Sequence, residues 1–364
     1  MPRFNSLARV ARKGLVAAAS ILTLLAAPAQ AAPQTGVFYF PGWRDHELGL
    51  GHDLPWEPIK AYPERKPTLG WYHEGDDAPM AQHLAWMQQY GINFVVFDAY
   101  WLGEEHQRPL MAQAVNAYLR AKDKRGVKFA MMYANHDGRP RQGQDFYALI
   151  AYWLDHYLTR PEYVRVDGKP VVFIMGGEDI DKKARAFGSS ARQLFDRAQA
   201  MARSAGLPGL YFVAGTGADD PLTHGAGSQM GYSAYFAYNY HSAPAQPRLS
   251  HSYAELDAAY RAHWRWFMAK SDLPYVIPTS SGWDNRPWGG SADPAHDQSV
   301  STPAQFQQHL AAAKALMLAN PAKAPLSVIC CWNEFGEGSY IEPTKGTGLG
   351  YLEAVQAVFG SPTR

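Results

Sequence analysis

Cysteine is nearly absent. Two occur in 364 residues, Cys330 and Cys331, adjacent within an apolar run. That excludes the dense disulfide framework that staples small exported domains. Stability must come from burial, which a chain of this size can supply. Neighbouring strand residues point to opposite faces, so the two are expected as buried free thiols acting as small hydrophobes. Charge is also sparse, at 18% of residues, with 34 basic against 33 acidic side chains. Without a basic excess, no nucleic-acid partner is expected. Beyond Ala27 no apolar run reaches the roughly 20 residues that span a bilayer. Neither G-x-G-x-x-G nor G-x-x-x-x-G-K-[ST] occurs, so the usual phosphate cradles of nucleotide-binding sheets are missing.

The N-terminal stretch reads differently from the rest. Arg3, Arg9, Arg12 and Lys13 precede an apolar run from Gly14 to Ala27, and Ala29-Gln30-Ala31 follows. That order is a secretory signal peptide; a membrane anchor would need a longer run. The expectation is a signal over 1–31 and one domain over 32–364. Such a chain is periplasmic or secreted, with no membrane span after processing, and is expected to be a monomer. Loss of the four basic residues leaves 30 basic against 33 acidic side chains, a net of −3.

What the chain has in quantity is aromatic side chain: 11 Trp, 21 Tyr and 16 Phe. Rings that stack on sugars, with few charges, suit a neutral glycan, although a large aromatic core has the same composition. Short apolar runs recur at Val37–Phe40, Asn93–Asp98, Lys128–Tyr133, Val171–Met175, Leu210–Ala214, Tyr232–Ala237, Tyr275–Thr279 and Leu326–Cys331. Most are continuous rather than alternating, as in strands buried on both faces. Helical patterns lie between them: around Met80–Met87, then Leu110–Lys124, Phe146–Leu158, Ala184–Ala205 and Tyr253–Lys270. Another opens at Pro303 behind a Thr302 cap. The segment Asp219–Gly227 promises only a short helix or none. Eight strands alternating with helices read as a single α/β (β/α)8 TIM barrel, with an open doubly wound sheet as the alternative.

A barrel puts its working groups at the C-terminal ends of the strands. Those ends carry Tyr39 and Trp43; Asp98, Tyr100 and Trp101; Tyr133, Asn135 and His136; Tyr238 and Asn239; Trp283; and Trp332 with Asn333. All are candidates for binding substrate in a concave site. The fourth and fifth ends carry glycine, expected to leave room. Beyond the eighth strand stand Glu334 and Glu337, with Gly336 and Gly338 allowing a tight turn. Two carboxylates beside aromatic walls are the minimum equipment for glycoside cleavage, one protonated and one ionised. Residues three apart on one turn do not easily straddle a scissile bond as acid and enzyme nucleophile. They better suit one acting on the leaving oxygen and one on a neighbouring group of the sugar.

The run Trp332-Asn333-Glu334-Phe335-Gly336-Glu337-Gly338-Ser339-Tyr340-Ile341-Glu342-Pro343-Thr344, followed by Gly350-Tyr351-Leu352-Glu353-Ala354, resembles the C-terminal signature of the glycoside hydrolase family 99-like proteins. It is closest to their WbsX-like branch. Tyr133-Ala134-Asn135-His136 is similar to that branch's W-A-N-E segment, and Phe38-Tyr39-Phe40-Pro41 to its first strand. The resemblance implies a (β/α)8 barrel that uses no metal or cofactor on an oligo- or polysaccharide. It implies that Glu334 is the general base toward the sugar's 2-hydroxyl, giving a 1,2-anhydro intermediate with overall retention. Glu337 would be the general acid and then the base for water. Phe335-Gly336 departs from the Trp-His of the mannan-cleaving enzymes, and His136 replaces a Glu. The departures bear on specificity for α-mannose more than on the chemistry.

Other readings are weaker. WbsX-like proteins are often labelled glycosyltransferases, but an exported chain would lack a cytoplasmic nucleotide-sugar donor. The triplet Asp179-Ile180-Asp181 has the D-x-D spacing and is expected in an exposed loop. A non-catalytic glycan-binding barrel would not need Glu334 or Glu337. Asp45, His46, His52, Asp53 and His73 lie at irregular spacing on a Pro- and Gly-rich stretch, so no metal is expected there. The segment from Arg44 to Pro79 is expected to cover part of the mouth.

Overall fold

The computed structural model describes residues 1, 33–46, 53–101, 109–135 and 139–360. The expected signal over 1–31 and cleavage near Ala31 lie outside the described residues, as do His52 and His136. Eight parallel strands form one sheet: β1 (Gln34–Tyr39), β2 (Phe94–Trp101), β3 (Lys128–Tyr133), β4 (Lys169–Ile174), β5 (Tyr211–Gly215), β6 (Ala234–Phe236), β7 (Ile277–Ser280) and β8 (Leu326–Cys330). Their spatial order is β6-β5-β4-β3-β2-β1-β8-β7. The ring closes between β6 and β7 through a single parallel bridge, Tyr235 to Tyr275. There Tyr235 N donates to Pro274 O at 2.9 Å and Val276 N to Tyr235 O at 2.8 Å. All eight expected strands are present, and the fold is the nearly closed (β/α)8 barrel.

The outer helices are α1 (Asp77–Tyr90), α2 (Gln113–Arg120), α3 (Gly143–Trp153), α4 (Gly177–Ala186), α5 (Ala191–Ser204), α6 (Tyr253–Lys270), α7 (Pro303–Ala319) and α8 (Gly350–Phe359). The expected stretch Ala184–Ala205 divides into α4 and α5, because Gly188 takes a left-handed φ of 75° and Ser190 caps a new helix at Gln193 N. Thr302 and Gln305 form a reciprocal capping box at α7. After β5 there is only a 3-10 turn, Pro221–Thr223, and a short helix, Ala226–Met230. No helix among the described residues is long and apolar enough to cross a membrane.

Inside the barrel, Phe38, Phe173 and Phe236 pack with centroids 5.0–5.9 Å apart. Tyr238 stands 4.9 Å above Phe38. This apolar plug is the floor on which the mouth is built.

One expectation is overturned. Cys330 and Cys331 are not free thiols but are bonded to each other, across a cis peptide. Alternation holds for two regular strand residues, whereas β8 ends at Cys330 and leaves Cys331 outside the ladder. The glycines at the ends of β4 and β5 also do not open space. A Cβ on Gly215 would stand 2.0 Å from Met175 O, so they let the two strand ends close on each other.

Candidate active site

Residues of one parallel sheet share a face with their register partners. Phe38 pairs with Val96, and Asp98 with Met132. This set alternates inward, carrying Asp98 and Tyr100 from β2 and Tyr238 from the β6 end into the mouth. The Tyr238 hydroxyl lies 2.9 Å from Asp98 Oδ2 and 2.9 Å from Glu334 Oε1. It therefore joins three strand ends, those of β2, β6 and β8.

A hydroxyl carries one proton. Tyr238 donates to one carboxyl, and the other contact is favourable only if that carboxyl holds a proton itself. Burial pushes the Asp98 carboxyl well above its usual range, against the hydrogen bond from Tyr238. Glu334 is raised too, by burial first and then by Glu337 and Asp98, with the Tyr238 bond opposing. The arrangement that leaves Glu334 ionised puts the proton on Asp98, which donates to Tyr238, which donates to Glu334. Glu337 is partly exposed, and its carboxyl is raised to about 7 by burial.

The loop bearing the two glutamates is fixed from behind. Asn333 and Glu334 pair with Tyr340 and Ser339 in a short hairpin. The Asn333 amide accepts from Phe40 N and donates to Phe40 O, both at 2.9 Å. Arg65, nearly fully buried, donates to Phe335 O at 2.7 Å and to Asp284 O at 3.0 Å, and also reaches the Asp284 carboxylate. Asp284 N donates to Glu337 O at 2.7 Å. The segment after Arg44 thus clamps this loop: Thr68 N donates to Pro343 O, and Lys345 N and Gly346 N donate to Lys66 O and Glu64 O.

Gly336 has a role beyond turning. A Cβ there would lie 1.9 Å from the Trp288 ring. Trp288 in turn stacks on Trp43 at 6.0 Å, and Trp43 on Trp56 at 4.2 Å. Phe335 faces this buried stack, 5.3 Å from Trp43, as a support for the loop.

Of the candidates read from the strand ends, Asp98, Tyr238 and Glu334 come together, and Tyr100 and Trp283 lie at the mouth, Tyr100 beside Met111 and Ala134. Four others are turned outward. Tyr39 lies against Phe97 and His83, Trp101 against Tyr152, and Trp332 against His83, while Tyr133 shares the outer register of Ala99. They pack sheet to helices. Trp43 is fully buried in the stack. Both ends of the Asn135 amide hold Gly176, as Asn333 holds Phe40. Asn239 turns its Oδ1 to the Tyr260 hydroxyl of α6. The D-x-D triplet is in α4 rather than a loop, and Asp181 is occupied by Ala191 N and Arg185. Sequence reasoning missed Arg65 and Trp288, since neither sits in a local pattern that distinguishes it, and it passed over His241 although that residue follows Tyr238-Asn239-Tyr240 at the sixth strand end.

The profile of the family described as Glycosyltransferase WbsX matches residues 59–355. Among solved structures, the GH99 endo-alpha-mannosidase from Bacteroides thetaiotaomicron in complex with BIS-TRIS-propane superposes with a TM-score of 0.66 at 18% identity, over 89% of this chain and 95% of that one. A second structure of the Bacteroides enzyme gives 0.62 at 17%, over 89% and 96%. A glycoside hydrolase-like protein gives 0.64 at 15%, over 90% and 94%. At these identities the likeness is one of fold. No curated protein matches at the sequence level.

Proposed function

The chain belongs to the WbsX family, and from that footing we propose that it is an exported glycoside hydrolase acting on an α-linked glycan. The observation that carries the reading is the convergence of Glu334, Tyr238 and Asp98 beside Glu337 at the C-terminal mouth of the barrel. It supports a retaining mechanism through a 1,2-anhydro sugar. Glu334 removes the proton of the 2-hydroxyl as O2 attacks C1, and Glu337 gives its proton to the departing glycosidic oxygen. Glu337, now a carboxylate, takes a proton from water as that water opens the strained ring at C1. Glu334 returns its proton to O2. Two inversions give retention.

Burial and the neighbouring carboxyls favour a neutral Glu334, so it serves as base in the arrangement that places the network's proton on Asp98. A raised carboxylate, once ionised, is a strong base. An acid near 7 holds its proton at neutral pH yet gives it up readily.

The family's description favours a second reading, glycosyl transfer. A nucleotide-sugar donor needs a cradle for its pyrophosphate, and Asp181 is already committed within the fold. The deciding experiment screens residues 32–364 against α-linked polysaccharides, with Glu334→Gln and Glu337→Gln as controls. The expected result is cleavage by the wild type and not by either variant. Equal cleavage by the variants would refute the mechanism, and transfer from a nucleotide sugar without hydrolysis would establish the second reading.

A further inference from the structure

Three residues beyond Tyr238, outside the carboxylate network, the partly exposed His241 meets the buried His296. His241 Nδ1 is 3.0 Å from His296 Nε2. His296 Nδ1 is 2.9 Å from the Ser250 carbonyl oxygen. A carbonyl can only accept, so His296 carries its proton on Nδ1. In a neutral ring its Nε2 is then a lone pair, and the proton between the rings belongs to His241 Nδ1. His241 is left with a lone pair on Nε2. That atom has no hydrogen-bond partner among the described residues and is not sealed from solvent.

Beside it stands Trp283, its ring 4.2 Å from that of His241 and 5.7 Å from that of His296, nearly parallel to the latter. The indole is fixed: Nε1 donates to Ser291 Oγ at 2.9 Å, which donates to the buried Asp297. Trp283 is partly exposed, and the next residue, Asp284, donates its backbone N–H to Glu337 O. A partly exposed ring and an oriented acceptor therefore border the Glu337 side of the site.

We propose that His241 Nε2 and the Trp283 indole form a carbohydrate subsite flanking Glu337, which takes a neutral pyranose residue next to the bond being cleaved. One hydroxyl of that residue donates to Nε2 while its apolar face rests on the indole. An acceptor at this place welcomes a hydroxyl and repels a carboxylate, so the subsite selects neutral sugars against uronates. Burial, and then His296, holds the His241 imidazole down at about 4, which keeps it an acceptor at neutral pH. The inference rests on the hydrolase reading for its place beside a scissile bond, but its binding chemistry is testable apart from turnover.

The test is nitrogen-detected NMR of histidine-labelled Glu337→Gln protein, with mannotriose, maltotriose and trigalacturonate as probes. The expected spectrum shows His241 protonated on Nδ1 alone, with its Nε2 resonance displaced by a neutral trisaccharide and unmoved by trigalacturonate. His241→Phe, which keeps a ring against Trp283 and removes the acceptor, is expected to weaken neutral trisaccharide binding about ten-fold, and His241→Gln to recover part of it. A proton on His241 Nε2 overturns the proposal, as does binding of no neutral trisaccharide, or binding that leaves Nε2 unmoved. Wild-type protein that binds with the expected shift yet cleaves nothing it binds overturns the hydrolase reading and leaves the subsite standing.

Discussion

Asp98 and Trp101 stand three residues apart on β2, yet one shares a hydrogen bond with Tyr238 inside the barrel and the other lies against Tyr152 outside it. The same division runs around the mouth. Tyr238 and Glu334 face inward as a polar network, whereas Tyr39 and Trp332 face outward against His83 of α1. Both faces are rich in aromatic and polar residues, and Asp98 and Glu334 are buried as Tyr39 and Trp332 are. They differ in what their polar atoms are for. Inward, the raised groups are two carboxyls sharing one hydroxyl, a cost that a merely structural site would avoid; outward, the raised Tyr39 is a phenol, neutral at pH 7 with or without the shift. Outward rings fill the layer between sheet and helix.

The largest expected effect tests the inner face. Glu337→Gln should lower kcat/KM about 10²- to 10⁴-fold by removing the acid, in hydrolysis of whichever glycan the screen identifies. Stability should move the other way. Because the folded carboxyl is raised to about 7, the folded state holds a proton that the unfolded chain has released. That penalty is absent below the ordinary carboxylate range, grows with rising pH, and is complete above about pH 7. The variant should therefore gain in Tm over wild type at pH 8 and show little gain at pH 4. A Tm lowered equally at both would mean that Glu337 is structural. For the wild type, kcat/KM should fall as pH rises past about 7, since the acid loses its proton there.

Trp332→Ala tests the outer face. The indole is fully buried, so urea unfolding should show a loss of about 3–5 kcal/mol. Any folded protein that remains should keep its substrate affinity. Intact stability with a raised KM would mean that Trp332 lines the cleft after all, as its place in the sequence suggests.

That contrast shows what the chain makes legible. The eight strands were readable because most are continuous apolar runs, and Glu334 and Glu337 because they follow the last one inside a dense motif. Inward and outward residues were not separable. Alternation divides each strand end into two sets, but nothing local says which set faces the axis. The packing of Phe38 against Phe173 and Phe236 across the interior settles it, and the register of Phe38 with Val96 carries that face to Asp98; both are properties of the assembled sheet. Arg65 was invisible for a related reason. Its partners, Asp284 and Phe335, lie more than two hundred residues away, and an arginine beside a glutamate in a Pro-rich loop looks like a solvated charge. Gly336 was visible as a turn glycine, but its second role was not, because Trp288 approaches it from another loop.

The smallest expected effect is the sharpest test, because one chemical change can be made on each face. Tyr238→Phe and Tyr39→Phe each delete a single hydroxyl. Tyr238 donates into a carboxylate network, and a bond to a charged group contributes about 1.5–3 kcal/mol, so kcat/KM should fall roughly 10- to 100-fold. The loss also has a pH signature. The Tyr238 bond opposes the rise of Glu334, so without it the carboxyl rises further and needs a higher pH to ionise. The acidic limb of the pH profile should then move to higher pH. The Tyr39 hydroxyl lies 3.4 Å from His83 Nδ1 and also meets Tyr72, away from the mouth. Its deletion should change stability by about 1 kcal/mol or less, with the kinetic constants and the pH limbs unmoved. If Tyr39→Phe instead shifted the acidic limb as Tyr238→Phe does, the two faces would be electrically one, and the register argument would no longer separate site from scaffold.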